Sequence, residues 1–559
     1  MTKRIRAALL ALCMALSLAH LPAFAQVRSG KCGATVYYSY DPATYELTIT
    51  GTGNMRSYTL SSPTPWDSYC EEIESVSIAS GVTSIGSYAF YYCKGLESVT
   101  ISDSVTDIEN DAFLECSSLT NITIPDSVTN IGDSAFQHCK GLKKITIPGS
   151  VKRIGDSAFA SCYISAEESE SGIEIGLEKV VVQDGVEAIG AFAFYRCKKL
   201  NDVTLPDSVT SIGDNAFQYT GLYNDDSEWE ALYIGKHLIK ADNWALNKNG
   251  TSDFAVEPET KTIADNAFSG CECLKSITIP DSVISIGDSA FNYCTGLTSI
   301  TIPKGVTSIG DYVFQNCSDL EEIKVAADNN AYCSENGVLY DKGKTEIICF
   351  PKEKQDTVFE IPDSVTSIAT GAFSDCLNLT GITIPDGVTS ISDYAFYECS
   401  GLTSIIIPDG VPSLGLKAFY GCSSLESVTI PNSVISIGEQ AFLECGNFET
   451  INYIGTDSEW KKILRGDKCS IDGKTMKYCK GINAKHTDVG IVVRPINIDS
   501  GKTVILALYN GDKLVGIQSK IYGGTEVTFE TNEAYSELKA MVWEDLADML
   551  PVCGAKTIK

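Results

Sequence analysis

Along most of the chain, apolar and polar positions alternate in short runs that return at one spacing. In Leu297-Thr-Ser-Ile300-Thr-Ile302-Pro303 the Ile side chains alternate with Thr, the period-two pattern of a strand with one face buried. Pro303 has no amide hydrogen to give to a ladder and ends the run. Val306-Thr-Ser-Ile309 predicts a second short extended piece. Gly310 then allows a sharp turn, and Asp311 stands where a helix N-cap is preferred. Val313-Phe314-Gln-Asn-Cys317 predicts a helical turn that carries Phe and Cys inward. Anchored on the Phe, the unit recurs at Phe90, Phe113, Phe136, Phe159, Phe194, Phe217, Phe268, Phe291, Phe314, Phe373, Phe396, Phe419 and Phe442. Most neighbours are separated by the same 23-residue interval; longer gaps fall between Phe159 and Phe194, Phe217 and Phe268, and Phe314 and Phe373. One unit cannot bury its apolar side alone, whereas stacked copies can. The pattern therefore predicts a β-dominated solenoid of 23-residue coils with short helical turns.

The phrases Ile300-Thr-Ile-Pro-Lys-Gly-Val-Thr-Ser-Ile-Gly-Asp311 and Ala395-Phe-Tyr-Glu-Cys-Ser-Gly-Leu402 resemble the BspA-like (Treponema pallidum type) leucine-rich repeat of bacterial surface proteins. The resemblance covers roughly residues 73–455 and implies a leucine-rich-repeat solenoid with a role in adhesion. It departs where Thr220 replaces the rung Cys and in the three long intervals. Residues 163–178 form a polar, acidic insertion suited to a surface loop. Residues 218–262 and 325–358 each place two apolar runs around a Gly turn, at Gly235 and within Gly337–Ile348, which predicts irregular coils that keep the stack continuous. The expected organisation is a signal peptide at 1–25, an N-terminal β cap at 26–72, the solenoid at 73–481 and a C-terminal module at 482–559. The cap holds strands within Thr35–Tyr40 and Tyr45–Gly53, and Tyr453–Trp460 breaks the period near the other end of the stack. In the last module Val489–Val493, Thr503–Tyr509, Leu514–Gln518, Glu526–Glu530 and Leu538–Trp543 are strand candidates. Asn510-Gly511 is a hairpin signal between two of them, and together they suggest a small immunoglobulin-like β-sandwich.

The N-terminus adds a compartment. Lys3, Arg4 and Arg6 precede the apolar run Ala7–Leu18, and Ala23-Phe24-Ala25 offers the small residues of a cleavage site before Gln26, which predicts export. The run is too short to span a bilayer, and no second apolar span follows, so an integral membrane protein is not expected. Losing residues 1–25 removes three basic residues and no acidic one, taking the net charge from −29 to −32. That sign disfavours nucleic acid and anionic lipid as partners.

Chemistry-bearing patterns are scarce. His20 leaves with the signal, and His138, His237 and His486 are far apart; each reads more simply as a surface or satisfied histidine than as a base or ligand. No H-E-x-x-H, G-x-S-x-G or P-loop phrase occurs, and the recurrent Gly-Asp-Ser-Ala follows the repeat without an accompanying His. Asp103, Asp126, Asp207, Asp281, Asp363, Asp386 and Asp409 follow the strand at one repeat position. A turn role is simpler there than a calcium ladder, because one Asp per coil supplies too few ligands. No enzyme activity, cofactor or metal is expected. Twelve cysteines share the rung position: Cys93, Cys116, Cys139, Cys162, Cys197, Cys271, Cys294, Cys317, Cys376, Cys399, Cys422 and Cys445. Side chains stacked at one position point in parallel, so with Phe113, Phe136, Phe291 and Phe396 the rung Cys116, Cys139, Cys294 and Cys399 are expected to form a core ladder of free thiols. The off-rung Cys32, Cys70, Cys469 and Cys479 are the better disulfide candidates.

What remains is the outer strand face. Its candidate binding residues are Glu97, Ser98 and Thr100; Thr120, Asn121 and Thr123; Lys143, Lys144 and Thr146; Asn201, Asp202 and Thr204; Glu321, Glu322 and Lys324; and Glu426, Ser427 and Thr429. The Thr row suits an exposed strand without implying an ice-binding array. The expected partner is an extracellular protein, of a host matrix or a neighbouring cell. The alternative is a glycan or cell-wall ligand held by the C-terminal module through Tyr509 and Trp543, two aromatics that read more simply as core.

Overall fold

A computed structural model describes residues 26–167, 172–223, 230–478, 481–487, 490–496, 503–510, 513–521, 527–529, 537–543 and 556–558, the last seven segments as backbone strands only. The expected signal peptide, residues 168–171 of the acidic insertion, Cys479, Gly511 and the side chains of His486, Tyr509 and Trp543 lie outside the described residues. The chain divides into two compact units. One comprises the residues up to Cys294 together with Gly305–Phe314, and the other comprises Thr295–Lys304 with everything from Gln315 onwards.

In the first unit, alternation of Ile or Val with small polar residues produces two parallel ladders per coil. On one side Glu46–Gly51, Ser75–Ile78, Ser98–Ile101 and Asn121–Ile122 pair in succession, and Lys144–Ile147, Lys179–Val182 and Asp202–Thr204 form a further run. On the next side the pieces are only two to four residues long, from Gly53–Asn54 through Val82–Ile85, Asp107–Ile108, Asn130–Ile131, Arg153–Ile154 and Ala188–Ile189 to Ser211–Ile212. Register follows the sequence period: Ser75 faces Ser98 and Asn130 faces Arg153, each one period on, whereas Lys144 faces Lys179 across the insertion. The N-terminal segment is more than a lid. Its antiparallel strands Arg28–Lys31 and Val36–Asp41 lead into Glu46–Gly51 and Gly53–Asn54, which already occupy both strand positions of a coil.

The third side is where the predicted helical turn falls, and its backbone takes another form. Residues 132–139 make overlapping tight turns: Ala135, Gln137 and Cys139 donate back three residues to Gly132, Ser134 and Phe136. The alternate amides of Ser134, Phe136 and His138 instead donate to Asp156, Ala158 and Ala160 of the next coil at 2.7–2.9 Å. Left-handed φ at Ser134 (53°) and His138 (60°) turns every second N–H outward, and the same two positions recur as Tyr88 and Tyr92, or Tyr394 and Glu398. A helix would spend those amides within the coil and leave the stack unbonded on this side. The Asp expected to cap a helix serves the stack too. The Asp265 carboxylate accepts the Asp288 amide at 2.8 Å, and Asp288 accepts that of Asp311 at 2.8 Å.

This Asp column makes a testable prediction. Burial, followed by the proximity of Asp288 and Asp214, pushes the Asp265 carboxyl up to about 6. Because the folded pKa lies above the unfolded one, near 3.9, the stabilisation from this group is full below about pH 4. It is lost as pH rises through about 6. Asp265→Asn keeps an acceptor oxygen and cannot ionise; Asn110 fills the same place in its own coil and accepts the Asp133 amide at 2.9 Å. Thermal unfolding of the two proteins should show the variant gaining on the parent between pH 4 and pH 7, and a constant difference would refute the ionisation.

Inside the coils the Phe rings form columns. Phe90, Phe113, Phe136, Phe159, Phe194 and Phe217 stack with centroids 5.1–5.5 Å apart, and Trp66 extends the column at 5.8 Å from Phe90. Beside them runs the thiol ladder. Cys116 donates to the Phe90 carbonyl at 3.1 Å, Cys139 to Phe113 at 3.2 Å, Cys162 to Phe136 at 3.2 Å and Cys197 to Phe159 at 3.0 Å. A small apolar side chain with one weak donor satisfies that carbonyl without bringing a second polar demand into the core. Thr220, at the rung lacking Cys, turns its hydroxyl to Phe217 of its own coil at 2.7 Å. Cys32, Cys70 and Cys469, expected as bridge partners, are buried thiols, and none of the 18 described cysteines is in a disulfide. Cys70 meets Cys93 and so heads the column instead of standing off it.

The first irregular coil contains the predicted hairpin. Ala231–Ile234 and His237–Ala241 turn at Gly235 (φ 59°), and His237–Ala241 then joins the parallel ladder through Thr262–Ile263. Between them lies the helix Asn243–Asn249, capped by Asp242 and closed by left-handed Gly250.

In the second unit the irregular segment is a meander of Tyr332–Glu335, Val338–Asp341 and Glu346–Cys349, one strand more than the sequence pattern indicated. Glu346–Cys349 opens a parallel ladder that passes through Ser367–Ile368, Ser390–Ile391, Ser413–Leu414 and Ser436–Ile437 to Leu464–Arg465. Phe350, Phe373, Phe396, Phe419, Phe442 and Phe448 stack at 5.0–5.3 Å. Tyr453–Trp460 contains the end of strand Thr450–Ile454 and a one-turn helix, Asp457–Trp460, fixed by the Thr456–Glu459 capping box. Thr475–Tyr478 adds a further parallel strand beyond it. The last strands form two antiparallel sheets: Gly481–Thr487, Gly490–Ile496 and Val527–Phe529 in one, and Lys513–Ile521, Thr503–Asn510, Glu537–Trp543 and Lys556–Ile558 in the other. Asn510 faces Lys513, the register of a two-residue hairpin.

Candidate binding face

The candidate residues lie where the alternation places them. In Ser98–Ile101, Val99 and Ile101 are buried and Thr100 is exposed. Lys144–Ile147 and Asp202–Thr204 turn Lys144, Thr146, Asp202 and Thr204 outward in the same way. Glu97, Asn121, Thr123, Lys143 and Asn201 are accessible beside them. In the second unit Glu321 and Lys324 are exposed, Glu322 is half-buried and forms an ion pair with Lys324, and Thr429 is half-buried next to exposed Glu426.

Register decides which of these residues meet. Lys144, Lys179 and Asp202 are consecutive members of one column, and the Lys179 ammonium binds the Asp202 carboxylate at 2.6 Å. The Lys143 carbonyl accepts the Glu178 amide at 2.8 Å, which sets Glu178 beside Lys143. Lys143 and Lys144 themselves have no ionic partner among the described residues, so this strip presents free positive charge on an acidic chain. Lys179 and Glu178 went unnoticed in the sequence because the insertion breaks the regular period there. In the second unit Ser299 faces Glu322 and Thr301 faces Lys324, while Thr429 lies between Ile406 and Asn452. The candidates therefore fall on separate strand faces, one group in each unit.

Two of them share a cleft. Ser98–Ile101 pairs along its full length with Ser75–Ile78, but on its other side only Ser98 and Val99 have partners, Asn121 and Ile122. The ladder opens beyond that point into a cleft of about 370 Å³. Thr100 and Thr123 line it with Val99, Ile101, Ile124, Pro125, Asp103 and Asp126. Apolar side chains, hydroxyls, carboxylates and strand edges without a ladder partner suit an extended peptide segment better than a small polar substrate.

The turn side carries exposed aromatics that were passed over in the sequence. Tyr92, Tyr219 and Tyr293 occupy the left-handed residue just before the rung Cys or Thr220, and Tyr219 and Tyr293 are each 53% exposed. The signal was there, in the variable pair between Phe and Cys. Of the histidines, His138 lies 4.0 Å from Glu115 on this surface. His237 is fully buried, its Nε2 3.0 Å from the Pro206 carbonyl, and burial pushes its pKa down. Among the described residues no group of three or more His, Cys, Asp or Glu is arranged to hold a metal ion, and no helix is long and apolar enough to cross a membrane.

The chain matches the model of the BspA type leucine rich repeat region over residues 68–175, 171–238, 240–354 and 344–463. No curated protein matches it. Similar solved structures include a leucine-rich repeat protein from Eubacterium ventriosum, 23% identical over 77% of this chain and 79% of that one, with a TM-score of 0.32. A leucine rich cell surface protein from Faecalibacterium prausnitzii is 25% identical over 79% of this chain and 99% of that one, TM-score 0.33. A leucine-rich repeat protein from Bacteroides ovatus is 23% identical over 80% and 99%, TM-score 0.26.

Proposed function

The chain belongs to the BspA-type leucine-rich-repeat family, and on that premise we propose that it is a secreted or cell-surface-associated binding protein that adheres to extracellular proteins of a host or a neighbouring cell through its strand face. The observation that supports this most is the cleft where the ladder opens between Thr100 and Thr123. There a partner strand finds unpaired edges, apolar side chains and carboxylates within one surface. The free cations Lys143 and Lys144 lie on the same side of the next coil along, and they provide a second contact of opposite sign for an acidic stretch of the partner.

The experiment is a binding screen of the exported chain against matrix and cell-surface proteins, followed by variants of whatever binds. Thr100→Arg with Thr123→Arg fills the cleft from two of its lining positions. Lys143→Glu with Lys144→Glu inverts the cationic strip. Each pair should weaken binding about tenfold or more, equivalent to about 1.4 kcal/mol, without altering the melting temperature. Absence of any micromolar partner, or full binding by both double variants, would overturn the proposal.

A further inference from the structure

A different cavity lies where the N-terminal strands meet the first coils. It encloses about 470 Å³, within the usual range for a small-molecule pocket. Lys31 and Arg56 supply its charged lining, Met55, Tyr58, Pro63 and Pro65 half of the rest, and Cys32, Gly33, Ala34 and Asn54 the remainder; no carboxylate lines it, although the chain as a whole carries −29. Neither cation forms an ion pair among the described residues. The Lys31 ammonium lies 5.6 Å from the centre of the Tyr37 ring, and the Arg56 guanidinium 5.9 Å from that of Tyr58.

Tyr58 is the second observation. Its side chain is only 5% exposed, yet its hydroxyl has no hydrogen-bond partner among the described residues. The Trp66 indole nitrogen is satisfied by the Ala89 carbonyl at 2.9 Å, whereas the buried Tyr69 hydroxyl lacks a partner among the described residues as Tyr58 does; what sets Tyr58 apart is that it lines this cavity. A phenol stripped of water and left unpaired is costly, and a ligand in the adjoining cavity would complete it. Burial also keeps this phenol protonated, so at neutral pH it is a donor. The residue is held in place by its own amide, which donates to the Ser87 carbonyl at 2.8 Å. With Pro63 it also borders a smaller cavity of about 160 Å³, lined by Leu60, Tyr88 and Tyr91 together with Thr59, Thr64 and the Asp67 carboxylate. Leu60 is 69% exposed, an apolar side chain left uncovered at the rim.

We propose that this cavity is a binding site for a small organic carboxylate with an apolar or aromatic body, and that it is separate from the strand face. The carboxylate meets the Arg56 fork and the Tyr58 hydroxyl, with Lys31 adding charge, and the apolar body lies against Met55, the prolines and the aromatic side cavity. Guanidinium matches carboxylate in a planar, two-bond geometry, and the charge-assisted bond also satisfies the orphan phenol.

N-acetyl-L-phenylalanine and its neutral amide are suitable probes, titrated against the full chain by calorimetry. The acid should bind saturably and the amide about tenfold more weakly, because it lacks the charge that Arg56 reads. Arg56→Gln should weaken the acid about tenfold as well. Tyr58→Phe should weaken it several-fold while holding or raising the melting temperature, since the change removes an unpaired buried hydroxyl. Thr100→Arg with Thr123→Arg should leave this binding unchanged, which separates the site from the proposed adhesive face. No saturable binding, equal affinity for acid and amide, or an unaffected Arg56→Gln variant would each overturn the assignment.

Discussion

Phe136→Ala should cost about 3–5 kcal/mol, the range for deleting a fully buried aromatic ring. Phe136 is inaccessible to solvent and lies between Phe113 at 5.2 Å and Phe159 at 5.1 Å, with interplanar angles of 6° and 8°. Its removal leaves a ring-sized void flanked by two flat faces that cannot close on it, because the backbone bonds on its strand and turn sides fix the coil separation. In a stack each coil touches only its neighbours, so the loss should be local before it is global. Amide hydrogen exchange is the suitable measurement, since a chain with two units need not unfold in one step. Protection of Asn130–Ile131 and Lys144–Ile147 should fall by about two to three orders of magnitude, with much smaller losses at Val36–Asp41. A uniform loss across the unit would show that the coils unfold as one cooperative body. A loss below about 1 kcal/mol would show that the ring column contributes little.

Gly185→Ala should be nearly as damaging, at about 3 kcal/mol, for a reason that has nothing to do with cavities. Gly185 has φ of 109°, where a side chain is strained, and a Cβ there would come within 2.3 Å of the Gly149 carbonyl oxygen. Gly149 faces it across the coil boundary and is as confined, its own Cβ falling 1.9 Å from the Asp184 carbonyl oxygen. The two glycines let the lengthened coil that carries the acidic insertion close down onto its predecessor. Gly172, inside the insertion, is the control. It also has positive φ (66°) but nothing within 4 Å of where a Cβ would stand, so Gly172→Ala should cost only about 1 kcal/mol of backbone strain. Equal effects of the two substitutions on the melting temperature would show that the close approach is not what matters.

The repeating architecture was legible in the chain because each strand states its inward face by simple alternation, as in Ile300, Thr301 and Ile302, and because the period aligns those faces. What escaped depends on the neighbouring coil. Ala-Phe-x-x-Cys after a Gly-Asp pair has the local pattern of a capped helix, and only the next coil's carbonyls draw its alternate amides outward. Cys70 shows a missed but available signal: it stands one full period before Cys93, and therefore on the ladder. Phe350, likewise one period before Phe373, marks the start of the second unit's ring column. Of the candidate face, exposure was legible residue by residue. Adjacency was legible only where the period is unbroken, so the meeting of Lys144 with Lys179 was hidden. The cleft beside Thr123 depends on a ladder that fails for two residues, and a pattern of residue types does not record where pairing stops.

The unchanging register of the ladders has a consequence for how such a protein can change length. Equivalent residues in neighbouring coils face one another directly, as Ser285 faces Ser308 or Ser413 faces Ser436, so each 23-residue block advances the chain by one strand spacing of about 4.8 Å. Gain or loss of a whole block therefore slides every later side chain along its side without turning any of them to another. Gain or loss of any other number must be absorbed as a loop outside the ladders, as the segment after Cys162 is. Within each unit the coil works as a graduated scale: distance between two surface groups is altered in fixed increments, while the direction in which they point is conserved.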